Sequence, residues 1–276
     1  MPDEPDDPTT ADFDRPSAAR IHDWLLDGAL NIPKDREAAR PALAALPGLR
    51  ELARHHRAFL HRAVRHMIDA GIRQFLDLGA SLPTMTPTHA IAHTHRPDIP
   101  VVYVDNDPAT VAHSRLILEH TPQVAVVHAD LRHPDRIWHD EHTRRLLDPT
   151  RPTGLLMIDI LDTLTDDPDR IIADHLHHMA PGSALALTHL TTPDAATHPR
   201  PPTGTTAAAE HLRTAGSTGN AADRRIDRPA DPVDTWLSRL TPVEPGVVPA
   251  WSWRPDPDTP APVTDTSAVC AVAFMP

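Results

Sequence analysis

Three aspartates stand in or directly after short apolar runs, at roughly even spacing along the chain: Asp77, Asp105 and Asp130. Short β-branched runs of this kind are typical of buried parallel strands, whose carboxyl ends share one edge of a sheet. A carboxylate at the end of the second strand can accept hydrogen bonds from both hydroxyls of a ribose. The pattern therefore predicts a nucleoside-type cofactor, with Asp105 on its ribose.

The turn after the first run, Gly79-Ala80-Ser81, carries a single glycine. A dinucleotide site needs more, because the backbone must approach a pyrophosphate closely at a helix N-terminus. S-adenosylmethionine has no phosphate and tolerates such a turn, so it is the predicted cofactor. In methyltransferase-type folds an acidic residue after the third strand reaches the adenine amino group, which is the role expected of Asp130. The predicted cofactor-binding residues are Asp77 (as an organiser of the turn), Gly79, Ala80, Ser81, Asp105, Asn106, Asp130 and Leu131. In the alternative interpretation, all three aspartates are only turn and helix-cap residues.

Methyl transfer from a sulfonium is accelerated mainly by positioning the nucleophile against the methyl group. A general base is needed when the acceptor is a hydroxyl, but not when it is an unprotonated amine. Asp162, just past the fourth predicted strand, and His189, just past the fifth, are the predicted catalytic residues. The alternative is ordinary loop polarity. No metal site is predicted, because 20 histidines in one chain make each histidine a weak signal.

The chain has 276 residues and a formal net charge of −12. That charge opposes binding to nucleic acid or an anionic membrane, where phosphate contacts need clustered lysine and arginine. Cys270 is the sole cysteine, which excludes an internal disulfide. The sequence shows no signal-peptide core and no apolar run of about 18 residues. We expect a cytoplasmic protein with a small-molecule methyl acceptor and no nucleic-acid or membrane partner; the pattern does not indicate an oligomeric state.

In the amino-terminal quarter of the chain, the sequence pattern predicts helices and no strand. Residues 1–14 are acidic, contain prolines and are expected to form a disordered tail. Helical spacing of apolar residues predicts helices over 17–28, 35–46 and 49–70, which together form an N-terminal extension over 15–70. Arg20 and Asp23, three positions apart on the first helix, would form a surface ion pair or belong to a lid over the cofactor.

Strands and helices alternate from residue 71 onward, which predicts a parallel sheet with helices on both faces. Strands are expected at 74–78, 101–104, 124–128, 153–158 and 184–188, and helices at 86–94, 108–120, 134–147 and 168–179. Residues 191–230 predict a long flexible insertion, with a weak helical pattern at 206–215. A short helix at 232–240 then precedes two strands, 247–253 and 267–274, which would close a seven-stranded sheet as an antiparallel hairpin. The predicted cofactor-binding domain is 71–276.

Several motifs between Arg15 and Pro255 resemble one known family. They are Arg15-Pro-Ser-Ala-Ala-Arg-Ile-His-Asp-Trp-Leu-Leu-Asp-Gly28, Asn31, Asp35-Arg-Glu37, the segment His56 to Arg65, Gly71-Ile-Arg-Gln-Phe-Leu-Asp-Leu-Gly79, Leu82-Pro-Thr84, Val102-Tyr-Val-Asp-Asn-Asp-Pro108, Ala129-Asp-Leu-Arg132 and Val243-Glu-Pro-Gly-Val-Val248. The chain is identified by them as a member of the actinobacterial S-adenosyl methyltransferase family, once a domain of unknown function. The resemblance implies a class I methyltransferase (Rossmann-like) three-layer α/β sandwich and S-adenosylmethionine-dependent methyl transfer.

The chain departs from the family pattern at several polar positions. Gly79-Ala80-Ser81 replaces Gly-Thr-Gly, His22 and Trp24 replace tyrosines, His56 replaces an asparagine, and the segment Asp159 to Thr163 lacks an aromatic or histidine pair. Two alternatives to an active methyltransferase therefore stay open: a protein that binds S-adenosylmethionine or S-adenosylhomocysteine as a signal, and a scaffold for protein contacts. A nicotinamide-dependent oxidoreductase is disfavoured by the missing glycines.

Overall fold

The computed structural model describes residues 15–164, 166–190, 211, 232–257 and 268–276. The predicted tail at 1–14 and, apart from residue 211, the predicted insertion at 191–230 lie outside these ranges. Within the described ranges, no helix is both long enough and apolar enough to cross a membrane.

Three helices come first, and strands and helices then alternate. The helices are α1 (Ala18–Leu25), α2 (Pro33–Ala45) and α3 (Leu49–Asp69). The alternating part comprises β1 (Phe75–Leu78), α4 (Thr88–His95), β2 (Val101–Asp105), α5 (Pro108–Leu118), β3 (Val124–His128), α6 (Pro134–Trp138), α7 (Glu141–Leu146), β4 (Gly154–Met157), α8 (Pro168–Leu176) and β5 (Ala184–Leu190). The last described elements are α9 (Pro232–Trp236), β6 (Thr241–Pro242), β7 (Val248–Pro249) and β8 (Ala268–Phe274).

All the described strands form one mostly parallel sheet. Its order is β3-β2-β1-β4-β5-β8-β6, and β7 also pairs with β8. The five strands from β3 to β5 are parallel, whereas β8 runs antiparallel to β5 and to both short strands beside it. This order confirms the predicted α/β fold class. Over the described residues the sheet has eight strands rather than seven, because β6 and β7 are two separate short strands beside β8.

Helices cover the sheet on both faces, which makes three layers. One face packs its apolar residues against α3, α4 and α5, and the other packs against α6, α8 and α9. Helix α3 was predicted as part of the extension over 15–70, but Phe59, Val64 and Met67 are fully buried in the core beneath the sheet. Only α1 and α2 therefore stand apart from the sheet layers. They share a smaller apolar cluster with the start of α3 and with the ends of β5 and β8.

Two sequence predictions are wrong in detail, for local reasons. The predicted helix 134–147 is two helices, because Asp140 caps a new helix by accepting hydrogen bonds from the backbone N–H groups of His142 and Thr143. The predicted strand 247–253 extends only over Val248–Pro249. Proline has no N–H for a strand ladder, and the chain turns after Pro249 so that Trp253 enters the core against Phe59.

Candidate active site

The carboxyl ends of β3, β2, β1 and β4 lie side by side at one edge of the sheet, called here the carboxyl edge. The parallel register pairs Leu78 with Val104 and Asp105 with His128, so the loops after these strands start at one level. Every residue predicted to bind a cofactor lies near the end of one of these strands or in the loop that follows it. The topology therefore brings the predicted cofactor-binding segments to one place.

The turn after β1 requires glycine at its first position. Gly79 has a φ of +67°, and a Cβ atom added there would lie 2.4 Å from Cγ1 of Ile160 in the loop after β4. Its N–H donates to the carbonyl of Val104, which keeps the turn against β2. The next residue, Ala80, is half-buried against the core on the α3 side. The backbone of this turn is thus held close to the loops on both sides.

Ser81 adopts a left-handed conformation with a φ of +60°, which is uncommon for a residue other than glycine. Its N–H donates to Asp105 Oδ2 over 3.2 Å, and its hydroxyl donates to the carbonyl of Ala19 on α1 over 3.2 Å. The side chain that departs from the family pattern is therefore bonded to the N-terminal helix.

Asp105 lies half-buried at the end of β2 and holds two loops together. Its Oδ1 accepts from the N–H of Asp107, and its Oδ2 accepts from the N–H of Ser81. A carboxylate has about four acceptor positions, so it keeps capacity to accept from a ligand. Burial raises the pKa of Asp105 to about 6, although the backbone N–H groups of Asp107, Ser81 and Asn106 act to lower it. The neighbouring Asn106 is exposed, and its carbonyl lies 3.2 Å from Nε2 of His128.

Asp130, after β3, is paired with Arg132. Both oxygens accept from the Arg132 guanidinium, and Oδ1 also accepts from the Arg132 N–H. Burial acts to raise the pKa of Asp130, but the contacts with Arg132 hold it below its ordinary value. Leu131 is buried, and its carbonyl lies 2.8 Å from Nε2 of His175. An adenine amino group would share Asp130 with Arg132.

Asp77 is buried within β1 and contacts the first residue of α4. Its Oδ2 accepts from the hydroxyl of Thr88 over 2.6 Å, and burial raises its pKa to about 6. Arg57 on α3 lies within electrostatic reach of Asp77, Tyr103 and Asp159, and burial lowers the pKa of its guanidinium. Among the described residues, no hydrogen-bond acceptor is found for that guanidinium. The sequence indicated no role for Arg57.

The two predicted catalytic residues lie together. Nδ1 of His189, on β5, is 2.6 Å from Oδ1 of Asp162, and Asp162 Oδ2 accepts from the N–H of Leu190. The side chains are 6% and 11% exposed, respectively. The ring of Trp236 packs on His189 with 4.9 Å between ring centroids. The two groups are close and nearly closed off from solvent, but Nδ1 of His189 makes no aligned hydrogen bond among the described residues.

A second cluster of titratable groups was missed by sequence reasoning. Asp159, after β4, places Oδ2 3.3 Å from Nε2 of His22 on α1 and Oδ1 3.2 Å from Nδ1 of His56 on α3. The departures from the family pattern were the only sequence signal at these three positions. They occur on three separate elements, so no motif could have joined them.

Helix α1 lies across the carboxyl edge. It is bonded to the loops after β2, β1 and β4 through four contacts, which are Ser17 with Asp107, Ala19 with Ser81, Asp23 with Thr84, and His22 with Asp159. One interpretation of the sequence expected an ion pair between Arg20 and Asp23. The structure does not have this pair. Nε of Arg20 donates to the buried Asp35 on α2 over 2.8 Å. The reason is that Asp23 is turned inward, to Thr84 and the backbone of Leu30.

The chain is similar to known proteins over nearly its whole length. Residues 5–276 match the family described as S-adenosyl methyltransferase. A DUF574 family protein from Streptomyces avermitilis MA-4680 is 32% identical, with a TM-score of 0.84 over 96% of this chain and 100% of that one. A proposed methyltransferase from Thermobifida fusca YX is 34% identical, with a TM-score of 0.79 over 96% of this chain and 97% of that one. No curated protein matches the chain.

Proposed function

The chain belongs to the S-adenosyl methyltransferase family, and we propose that its carboxyl edge binds S-adenosylmethionine beneath α1 and presents the methyl group to a small-molecule acceptor. Membership confirms the resemblance seen in the sequence, and with it S-adenosylmethionine-dependent methyl transfer as the activity and S-adenosylmethionine as the cofactor. The observation that carries the proposed placement is the Asp105 carboxylate at the end of β2, which keeps acceptor capacity for a ligand beside the Gly79 turn.

The cofactor supplies a methyl group on a positively charged sulphur, attached to a ribose that carries adenine. Neighbouring strands in a sheet lie about 4.8 Å apart, so the ends of β3, β2 and β1 offer successive positions for adenine, ribose and sulphur. Asp105, on the middle strand of the three, accepts from the two ribose hydroxyls. The single-glycine turn at Gly79 provides close backbone approach without a cradle for phosphate.

The adenine end is assigned to Asp130 and Leu131. The adenine amino group donates to Asp130, which is possible because carboxylate acceptor positions can be shared with the Arg132 donors. Leu131, the next residue, is buried, and its apolar side chain is assigned to the adenine ring. Asn106, exposed next to Asp105, covers the outer side of the adenosine.

The amino-acid end is assigned to Arg57. Its guanidinium is desolvated near the end of β1 and has no hydrogen-bond acceptor among the described residues. A carboxylate is the partner that a guanidinium binds best, through two parallel hydrogen bonds. Asp77 acts indirectly, since its bond to Thr88 fixes the first turn of α4 behind the Gly79 turn.

On the acceptor side, the catalytic role of Asp162 and His189 stays a prediction. A small-molecule acceptor is favoured because the net charge of −12 opposes binding of nucleic-acid phosphates. The contacts of α1 with three loops support its role as a cover over the site. The cytoplasmic location also stays a prediction.

Ligand-dependent thermal unfolding tests the proposal. S-adenosylhomocysteine or S-adenosylmethionine at about one hundred times its Kd is expected to add about 2.7 kcal/mol of stability, which raises the Tm clearly. Asp105→Asn should reduce the shift at the same ligand concentration, and NAD should produce none. No shift with either adenosyl compound, or a shift with NAD, would contradict the proposed site.

The affinity for S-adenosylhomocysteine is expected to depend on pH through Asp105. Burial raises its pKa to about 6, and ribose hydroxyls donate to the ionised carboxylate. Above about pH 7 the group is already ionised, so the affinity should be constant; below pH 6 a proton must first leave, and the affinity should fall by up to about tenfold per pH unit. Titration calorimetry between pH 5 and 8 measures this.

Asp105→Asn is the control for the pH dependence, because its binding should be weak with a nearly flat profile. Any slope that remains in this variant is assigned to Asp77, whose pKa is also about 6. A slope equal to that of the wild type would exclude Asp105 as the titrating group.

A further inference from the structure

We infer that His22 is the general base that takes a proton from the methyl acceptor, that Asp159 and His56 position it, and that the acceptor group is a hydroxyl. The inference rests on the proposed function, specifically on the order of adenine, ribose and sulphur along the carboxyl edge. It names a base on α1 in place of the Asp162–His189 pair.

The location of Asp159 matches the reacting end of the cofactor. Asp159 follows β4, and the next residue, Ile160, packs directly on Gly79. Strand β4 lies on the side of β1 that faces away from β2 and β3. An adenosine with adenine at β3 and ribose at β2 therefore directs its sulphur toward β1 and β4, beside Asp159.

His22, on α1, lies at the same end of the carboxyl edge as Asp159. Ala19, whose carbonyl accepts from Ser81 in the cofactor turn, precedes His22 by three positions on α1. Residues three apart share one face of a helix, so His22 also faces the carboxyl edge. Its side chain is 19% exposed and that of Asp159 is 32% exposed, in contrast to the 6% of His189.

Contact with Asp159 sets the tautomer of His22. An ionised carboxylate accepts hydrogen bonds and donates none, so Nε2 of His22, 3.3 Å from Asp159 Oδ2, carries the proton. Nδ1 is then left with its lone pair. No hydrogen bond to Nδ1 is formed within the described part of the chain, so this nitrogen is free to accept a proton from a substrate.

His56 contacts the other oxygen of Asp159 from a buried position. Its side chain is 1% exposed, and neither Nδ1, 3.2 Å from Asp159 Oδ1, nor Nε2 makes an aligned hydrogen bond among the described residues. Asp159 itself has a φ of +60°, which is unfavourable for a residue other than glycine. Unpaired buried groups and strained backbone are concentrated at functional sites. The unpaired buried histidine and the strained backbone both occur at the carboxylate that contacts His22.

The groups around Asp159 keep it from serving as the base itself. Burial acts to raise its pKa, but His56 on α3 and His22 on α1 hold the pKa well below its ordinary value. Arg57, also on α3, is a positively charged group within electrostatic reach of it. From β5, Thr188 contributes only an uncharged hydroxyl, which accepts from the Asp159 N–H. Asp159 therefore stays ionised and stabilises a protonated His22, as a carboxylate does beside a catalytic imidazole.

A general base at this site indicates which chemical group accepts the methyl. As the acceptor oxygen bonds to the methyl carbon, its proton moves to Nδ1 of His22 and the carbon–sulphur bond breaks with its electron pair left on sulphur. The positive charge of the sulfonium is thereby replaced by that of the imidazolium beside Asp159, which later releases the proton to solvent. A hydroxyl needs this assistance, whereas a carboxylate or an unprotonated amine does not.

The test uses the full chain with [methyl-13C]S-adenosylmethionine and requires no acceptor. Isotope-filtered NMR is expected to show nuclear Overhauser effects from the bound methyl to the ring protons of His22, and His22→Asn should remove them. Effects on the ring of His189, or on neither histidine, would overturn the inference while leaving cofactor binding intact. The absence of any protein contact to the methyl group would overturn the proposed function together with the inference.

A second measurement tests the positioning role of Asp159. Two-bond 15N–1H spectra should show the proton of His22 on Nε2 in the wild type and a mixture of tautomers in Asp159→Asn. The matched control is His120→Asn, an exposed histidine after α5, which should leave the His22 signals unchanged. An unaltered His22 tautomer in Asp159→Asn would show that the carboxylate does not position the base.

Discussion

Asp35→Ala is expected to destabilise the packing of α1 and α2 by about 3 to 5 kcal/mol, the range measured when one partner of a buried ion pair is removed. Asp35 is fully buried, and its partner Arg20 is 3% exposed. The carboxylate also accepts from the N–H groups of Ser17 and Ile32, at 3.0 and 2.8 Å. Alanine would leave a guanidinium charge and two backbone donors buried without these acceptors.

Amide hydrogen exchange and urea unfolding would measure the loss. We expect fast exchange over α1 and, because α1 covers the carboxyl edge, weaker binding of S-adenosylhomocysteine. Asp98→Ala is the matched control, since Asp98 pairs with Arg96 at the surface. This variant should leave the stability and the exchange over α1 unchanged. Arg20→Met combined with Asp35→Leu should recover part of the stability, because it removes the unpaired charge. Unchanged exchange in Asp35→Ala would contradict the importance of the pair.

Asp105→Ala is expected to weaken binding of S-adenosylmethionine by about 1.5 to 3 kcal/mol, which corresponds to roughly 10- to 150-fold in Kd. The physical reason is the loss of a charged acceptor for two ribose hydroxyls. Titration calorimetry with S-adenosylhomocysteine measures the effect without an acceptor substrate.

The control for Asp105→Ala must account for its second role, since Asp105 also accepts two backbone N–H groups from neighbouring loops. Asp140→Ala is the matched variant, because Asp140 accepts two backbone N–H groups at the start of α7. We expect Asp140→Ala to lower stability and to leave the affinity unchanged. If Asp105→Ala also leaves the affinity unchanged, the proposed cofactor placement is wrong.

The strands were predictable because their signal is local. Strand β3 covers the predicted residues 124–128, and β1, β2 and β4 differ from prediction by one or two residues. Short apolar runs bounded by turn residues suffice for this, and Pro108 begins α5 as predicted. Residues 250–253, including Trp253, were wrongly predicted as strand, because alternating apolar residues do not reveal how Pro249 ends the pairing.

The sequence by itself determined the elements, their order and the strand-end positions of Asp77, Asp105 and Asp130, because periodicity, turns and caps act within a few residues. Tertiary structure alone decided that Arg20 pairs with Asp35, and that Asp159 meets His22 and His56. Such contacts depend on how whole helices cross the sheet. That geometry is set by the packing of many apolar side chains at once, and no short stretch of sequence encodes it.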